Sequence, residues 1–419
     1  MMNASKKNIF FWNMLGSLSS ALISVFLLMV VSRVLSAVDS DNYAFAYSFA
    51  NLMVVIGLFQ IRNFQATDIT RKYSFSEYFL VRLATCLAMI IIMGIYLLVS
   101  DYDAYKLQIV FLVTLYRVSD AVSDLYQGLF QQHERLDIAG KSLSYRNFII
   151  VILFTLTVVI THNLLLALHI ICFSSFSFIL CYDVKNSLQF DRVVFGEIGR
   201  LSALKKCLSL VKESFPLFLN GFLIIYIYNQ PKYSLDALTS IGIVKLGAQT
   251  TFNILFMPAF VMNLMMLFFR PLITQMAIHI AKKQLVAFNN LQIKLFLYLL
   301  GADIVILIGS AILGIPFLEI LYGVQLKHYW LSFMFIMVGG SIGSFATAID
   351  NILTAMRFQK YLLIPYVGSF AVSLLITDYF VESYQILGAS LSFILTMTVW
   401  LILSFVVYTI TKRKVYGKN

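Results

Sequence analysis

The sequence predicts an all-α integral membrane protein with twelve transmembrane helices in two lobes of six. Three observations predict it. Apolar residues make up 60% of the 419 and charged residues only 12%, where soluble domains run at roughly 45–50% and about 25%. Mean hydropathy is +0.86. Twelve helices of about 20 residues use roughly 240 positions and leave about 14 for each tail or loop. A water-soluble fold cannot hide so much apolar surface, so a soluble enzyme and a disordered chain are excluded. No loop has room for a soluble catalytic domain.

Apolar runs bounded by charges and turn residues place the spans at 10–35, 42–63, 78–100, 106–128, 147–161, 163–182, 214–230, 244–269, 293–314, 330–355, 361–378 and 386–410. The run from Ile9 to Val31 exceeds the roughly 7–15 residues of a signal-peptide core, so it reads as an uncleaved first helix. Spans five and six are parted only by Thr161, His162 and Asn163, which reads as a hairpin, since 36 residues are too many for one crossing.

Orientation follows from the basic residues, which concentrate on the cytoplasmic side of membrane proteins. With the N-terminus inside, 25 of the 31 Lys and Arg fall in cytoplasmic segments, and both termini are cytoplasmic. Arg62, Arg82 and Arg146 are counted there; Lys106, Lys232 and Lys327 are counted outside, and Arg117 lies within a span. The net charge of +11 is therefore topogenic, and nucleic-acid binding is not implied. The longest polar stretch, 183–213, divides the chain into an N-terminal lobe (1–182), a cytoplasmic linker and a C-terminal lobe (214–419). Within it, 196–212 looks amphipathic and suits a linker helix lying on the inner leaflet.

Chemistry-bearing motifs are few. The four cysteines and five histidines form no metal spacing or disulfide framework, and no cofactor is expected. No GxxxxGK[ST] loop is present, so the chain does not itself hydrolyse ATP. The largest outer segments, around 231–243 and 315–329, are short for a glycan polymerase or transferase.

Intramembrane polar residues stand out instead, because charge at that depth must be paired or face water. In span four, 100° steps put Asp120 about 60° and Asp124 about 20° from Arg117, so all three share one face. They are either a structural Arg–Asp set between helices or a cationic contact for an anionic substrate. Span eight sets Lys245, Gln249, Asn253 and Asn263 on one face, with Pro258 as a kink; this is a cavity lining or a hydrogen-bonded seam. Asp303 in span nine and Asp350 in span ten are isolated acids, either cation sites or hydrogen-bonded groups in the bundle. Asn13, Ser17, Ser20 and Ser24 in span one, and Gly339, Gly343 and Thr347 in span ten, suit close helix packing.

These features carry a resemblance. The twelve-span layout, Asn229-Gln-Pro-Lys-Tyr-Ser-Leu-Asp236, Phe256-Met-Pro-Ala-Phe-Val-Met-Asn263, Arg270-Pro-Leu-Ile-Thr274, the opening Asn13-Met-Leu-Gly16 and the stretch from Gln127-Gly128 through Arg135 to Lys141 resemble the bacterial polysaccharide transporter (oligosaccharide flippase) family. Its superfamily also holds multidrug and toxin extruders and the lipid II flippase. The sequence departs from the pattern in its short length and in lacking a strongly basic span seven. The resemblance implies a MATE-like, non-enzymatic flippase in the bacterial cytoplasmic membrane. It would move an undecaprenyl-pyrophosphate-linked oligosaccharide to the outer leaflet, alongside a polysaccharide polymerase and glycosyltransferases. Arg33, Arg117 and Lys245 would supply charge to the cavity, and Asn51, Asn220, Gln249 and Asn253 hydrogen bonds. The alternatives are a cation-coupled drug or metabolite antiporter, using Asp120, Asp124, Asp303 and Asp350, and a membrane glycan polymerase.

The topology is directly testable. Reporter fusions after Lys212 and after Lys414 are expected to read cytoplasmic, and one at Asp236 external. If Lys212 and Asp236 report the same side, the span assignment fails.

Overall fold

The computed structural model describes residues 6–68, 71–194, 201–267 and 269–416, and among these it holds helices and loops but no strand. The first helices are α1 (Lys6–Val34), α2 (Ala37–Leu58), the short α3 (Ile61–Thr67), α4 (Phe75–Val99), α5 (Ala104–Gln132), α6 (Leu136–Thr161) and α7 (Leu164–Phe178). The chain continues through α8 (Leu201–Ser240), α9 (Ala248–Leu264), α10 (Arg270–Ala281), α11 (Leu285–Gly309), α12 (Trp330–Ala355) and α13 (Leu363–Tyr416). Two of these run on through π-helical turns, α7 through Ile179–Val184 and α11 through Ser310–Gly314.

Each of the twelve apolar runs lies mainly on helix, the eighth from Ala248 onward. Among the described residues, eight helical stretches are long and apolar enough to cross a membrane. One of them, Gln359–Arg413, holds two runs, because α13 is two arms joined at Gln385, whose φ of 51° and ψ of −126° break the helix. The runs outside the eight lie on α2, α5 and α9. α9 has only 17 residues, and α5 carries three charges mid-helix. The chain is thus a multi-pass membrane protein whose least apolar helices include the one bearing the Arg–Asp face.

Local sequence explains the helix starts. Ser74 and Glu77 form a reciprocal capping box at α4, which satisfies two of the otherwise orphaned N-terminal donors. Asp103 accepts from the Lys106 backbone at 2.7 Å to start α5. Asn163 accepts from Leu166 at 3.0 Å to start α7, directly after His162 turns left-handed (φ 50°). The expected hairpin between spans five and six is therefore present.

Two compact units divide the chain, Met1–Phe222 and Leu223–Asn419, with the border inside α8. In the first unit α1 and α6 meet backbone to backbone: a Cβ on Gly140 would lie 2.1 Å from the Trp12 carbonyl oxygen, and one on Gly16 would lie 2.8 Å from that of Gly140. Alongside, the Asn147 amide donates to Ser19 and Ser20, each at 3.1 Å. Small residues permit this approach, and in a bilayer such packing is a main source of helix association. In the second unit the expected small-residue face of α12 is used likewise, with Gly339 against the Phe393 ring and Gly343 against Tyr228 and Met397.

Two expectations change. Residues 196–200 of the expected surface helix lie outside the described residues. Residues 201–212 are the first turns of α8, with Leu210 fully buried in a cluster that includes Tyr73, Tyr78 and Phe130. Ala203 and Leu210 are buried against protein while Leu204 and Leu208 stay exposed, and Lys206 reaches Glu77 at 3.1 Å. The expected outer segments 231–243 and 315–329 are largely helical, as the ends of α8 and of Ile315–Tyr322.

The α1–α6 contact yields a test. Gly140→Ala is expected to cost about 1–3 kcal/mol, the range for overpacking, because the new methyl meets backbone rather than a movable side chain. Gly94→Ala, where nothing lies within 4 Å, is the control. Equal melting temperatures for both purified variants would refute the close-contact reading.

Candidate functional site

The first unit gathers four arginines around two aspartates. Asp124 on α5 receives Arg82 of α4 at 2.8 Å and Arg62 of α3 at 3.2 Å. Asp120, one turn deeper on the same helix, receives Arg146 of α6 at 2.5 Å and also pairs with Arg117 of its own helix. Counting 1.5 Å per residue from the C-terminal end of α5, Asp124 sits about 12 Å in, Asp120 about 18 Å and Arg117 about 22 Å. The result is a ladder of charge running into the membrane-spanning part of the unit.

Backbone geometry aims these groups. Phe59 and Gln60 both adopt left-handed φ, 44° and 56°, which ends α2 and turns α3 so that Arg62 faces α5. The Arg62 guanidinium also donates to Gln127 at 2.8 Å and to Gln131 at 3.1 and 3.2 Å. Arg82 donates to the Gly57 carbonyl at 2.5 Å, one of the last in α2 that lacks an intrahelical partner. Gln127 in turn donates to Ser123 at 3.1 Å, and Ser123 and Ser142 donate to the two oxygens of Asp183 at 2.7 and 2.5 Å. Asp183, fully buried, lies in the π-helical turn after α7.

The arginines are of two kinds. Arg82 and Arg146 are buried, with side chains 2% and 3% exposed; Arg62 and Arg117 are 28% and 20% exposed. Four guanidiniums face three carboxylates even with Asp183 included, so positive charge is in excess. The excess is carried at the accessible edge, where Arg117 also lies 5.7 Å from the Tyr47 ring centre. Forked guanidinium donors with spare capacity suit carboxylate or phosphate groups.

Sequence reasoning therefore found Arg117, Asp120 and Asp124 on one face, and the structure brings them together. It missed Arg82 and Arg146, counted among the charges of the cytoplasmic segments; both lie inside helices and are buried against acids. The signal was a lone arginine inside an apolar run, as in Phe79-Leu-Val-Arg-Leu-Ala-Thr85. Of the other expected cavity residues, Arg33 is exposed in the last turn of α1, and Asn51 on α2 and Asn220 on α8 are half-buried.

In the second unit, Lys245 is not on the helical face. It lies exposed in the turn before α9, which begins only at Ala248 because Gly242 and Gly247 hold left-handed φ of 79° and 89°. Gln249 and Asn253 are on α9 and buried, at 1% and 5% exposure; the side chain of Asn263 lies outside the described residues. The two acids there are hydrogen-bonded: Asp350 accepts from Trp400 at 3.0 Å and Ser404 at 2.8 Å. Asp303 accepts from Ser341 at 2.6 Å and Ser344 at 3.0 Å through Oδ2, while its Oδ1 is buried without a partner. Among the described residues, no cluster of three or more His, Cys, Asp or Glu side chains could hold a metal ion.

No family model matches the chain. Solved structures do. An inward-facing multidrug resistance MATE transporter of the MOP superfamily aligns over 94% of this chain and 95% of that one, with 9% identity and a TM-score of 0.68. The fold is that of the MATE transporters. The lipid II flippase MurJ aligns over 95% of this chain and 85% of its own, with 12% identity and a TM-score of 0.67. For the Vibrio cholerae MATE transporter VcmN the figures are 97% of each chain, 12% and 0.60. In sequence, the capsular polysaccharide biosynthesis protein CapF of Staphylococcus aureus is 26% identical over 192 residues, 44% of this chain and 48% of that protein. The chain thus spans about half the length of the curated relative it matches. Together these findings bear out the resemblance to polysaccharide transporters and the MATE-like fold.

The two kinds of arginine predict different mutant behaviour. Arg82→Met strips Asp124 of its buried partner and is expected to lower stability by about 3–5 kcal/mol, the usual cost of breaking a buried pair. Arg62→Met leaves the Arg82 pair in place and is expected to cost less than about 1 kcal/mol. Thermal unfolding of the two purified variants checks this; a less stable Arg62 variant would reverse the assignment of anchor and edge.

Proposed function

We propose that the chain is a flippase, without covalent chemistry of its own, in the bacterial cytoplasmic membrane. It carries an undecaprenyl-pyrophosphate-linked oligosaccharide from the inner to the outer leaflet by alternating access, with both termini cytoplasmic. One observation carries the reading: the buried charge network of the first unit is net positive, and its accessible members are the arginines Arg62 and Arg117. A pyrophosphate brings at least two negative charges, and guanidiniums meet phosphate oxygens in bidentate fashion. A binder of organic cations needs the opposite, acids in excess. The capsular relative and the lipid II flippase among the structural neighbours support the same class of cargo. Glycosyltransferases would build that cargo on the cytoplasmic side, and a polymerase would consume it outside.

A cation-coupled antiporter is the second reading, and Asp303 favours it: a buried carboxylate with one unpartnered oxygen and no arginine beside it among the described residues. The two readings separate in one experiment. Arg62→Gln combined with Arg117→Gln is expected to reduce surface polysaccharide at least about tenfold at normal membrane abundance, the scale of one or two lost charge-assisted contacts, and to accumulate lipid-linked oligosaccharide inside. Asp303→Asn is expected to spare export. Normal export by the double arginine variant, with export lost in Asp303→Asn, would overturn the flippase assignment in favour of the antiporter.

A further inference from the structure

The second unit holds a buried lysine that, among the described residues, no carboxylate meets. Lys232 lies inside α8, 9% exposed. Its ammonium sits 4.5 Å from the centre of the Phe256 ring on α9, and among the described residues no carboxylate pairs with it. Charge in such a place is costly unless a partner arrives. The face that Phe256 presents continues along α9. Gln249 lies two turns back, about 20° away, and is 1% exposed with both its amide nitrogen and its amide oxygen lacking partners. Asn253 lies between them, buried, with its amide donating to the Gln249 backbone carbonyl at 2.9 Å.

We infer that Lys232 and Gln249 form a binding site for an acidic sugar, the ammonium taking its carboxylate and the amide its hydroxyls. The inference rests on the transport reading above and names a feature of its cargo. The chemistry of the unsatisfied atoms selects the class. Lys232 calls for an anion. Gln249 has a donor and an acceptor both open, whichever way the amide is turned, and its open oxygen needs a ligand that donates. A fully ionised phosphate or pyrophosphate only accepts, so it would leave that oxygen unmet. A neutral sugar would leave Lys232 unmet. A ring bearing hydroxyls and one carboxylate meets both. A single ammonium rather than a guanidinium fork also suits a carboxylate held as a point charge.

The placement of neighbours orients such a ring. Gln249 and Phe256 are about 10 Å apart along the α9 axis, a span that one ring bridges with the long Lys232 and Gln249 side chains reaching toward it. Asp236, one turn beyond Lys232 on α8 and buried, repels a carboxylate but accepts from hydroxyls. The acid of the sugar is therefore held at the Lys232 end. Proline sits beside the Lys232–Phe256 end, Pro231 before Lys232 and Pro258 two residues after Phe256. Each removes a backbone hydrogen bond, so α8 and α9 yield where a ligand must enter.

The test uses the full chain in lipid nanodiscs, with methyl glucuronide as probe and methyl glucoside and inorganic pyrophosphate as comparisons, read by saturation-transfer NMR. Glucuronide is expected to bind at least about tenfold tighter than glucoside, as a charge-assisted contact implies. Lys232→Met should erase that preference, Lys232→Arg should keep most of it, and Gln249→Leu should weaken both sugars alike. Equal binding of the two sugars by the unaltered protein overturns the site. So does an unchanged preference in a Lys232→Met protein of normal melting temperature. Displacement of glucuronide by equimolar pyrophosphate would make the anion a phosphate and sink the sugar assignment. If Lys232→Met does not fold, the Gln249→Leu and Lys232→Arg proteins decide: loss of the preference in Gln249→Leu alone, or in Lys232→Arg, is against the site. Arg62 and Arg117 variants are expected to bind glucuronide normally, so a failure of the flippase reading, seen in export by the arginine and Asp303 variants, is distinguishable from a failure of this site, seen in sugar binding.

Discussion

A charge inside a bilayer must be matched, and the first unit is organised by that constraint. Asp120 and Asp124 on α5 draw arginines from three other helices, α3, α4 and α6, as well as from α5 itself. An apolar helix could rotate in lipid at little cost, because lipid tails are as apolar as its side chains. A helix whose arginine is committed to a buried acid cannot. The pairs therefore set the angular position of α4 and α6 about their axes. The α1–α6 glycine contact adds the distance of closest approach, and the two together define the unit's interior.

That arrangement separates structure from function by exposure. An acid with two arginines needs only one of them for neutrality. The buried member of each pair, Arg82 or Arg146, meets that need, and the more exposed member is left with donors to spare. The same duplication keeps acids from standing alone when a ligand draws an edge arginine away. The second unit handles its acids differently. Asp350 is met by an indole and a serine hydroxyl, and Asp303 by two serines, and the buried cation of this unit among the described residues is Lys232.

How much of this was legible depended on whether the signal was periodic or tertiary. Apolar runs placed the long helices, though not the short α3, α10 or Ile315–Tyr322, because hydrophobic length is a property of consecutive residues. The shared face of Arg117, Asp120 and Asp124 was legible for the same reason: one helix, one period. Arg82 and Arg146 were not, because an arginine near the start of an apolar run looks alike whether it reaches for water or for an acid on the next helix. Lys232 was hidden by Pro231, which reads as a helix stop and here sits within a 40-residue helix. Lys245 was misplaced the other way, since two glycines in left-handed turns delay the helix it was expected to join. At Arg82, Arg146 and Lys232 tertiary packing overrode the local signal; at Lys245 a local breaker prevailed over the apolar pattern.

The π-helical turn at Ile179–Val184 has a consequence for how this chain tolerates length change. Such a turn is an α-helix with one residue more than its period needs, so the segment beyond it is rotated by about 100° relative to a regular continuation. Asp183 lies within that extra turn, and its contacts with Ser123 and Ser142 exist only at that rotation. Excising one residue between 179 and 182 would leave hydropathy, charge and span length almost untouched. It would nevertheless swing the carboxylate to another side of the helix and strand two hydroxyls. For this part of the protein, then, the count of residues is itself information, held in no single side chain and invisible to any comparison that treats a one-residue gap in an apolar helix as neutral.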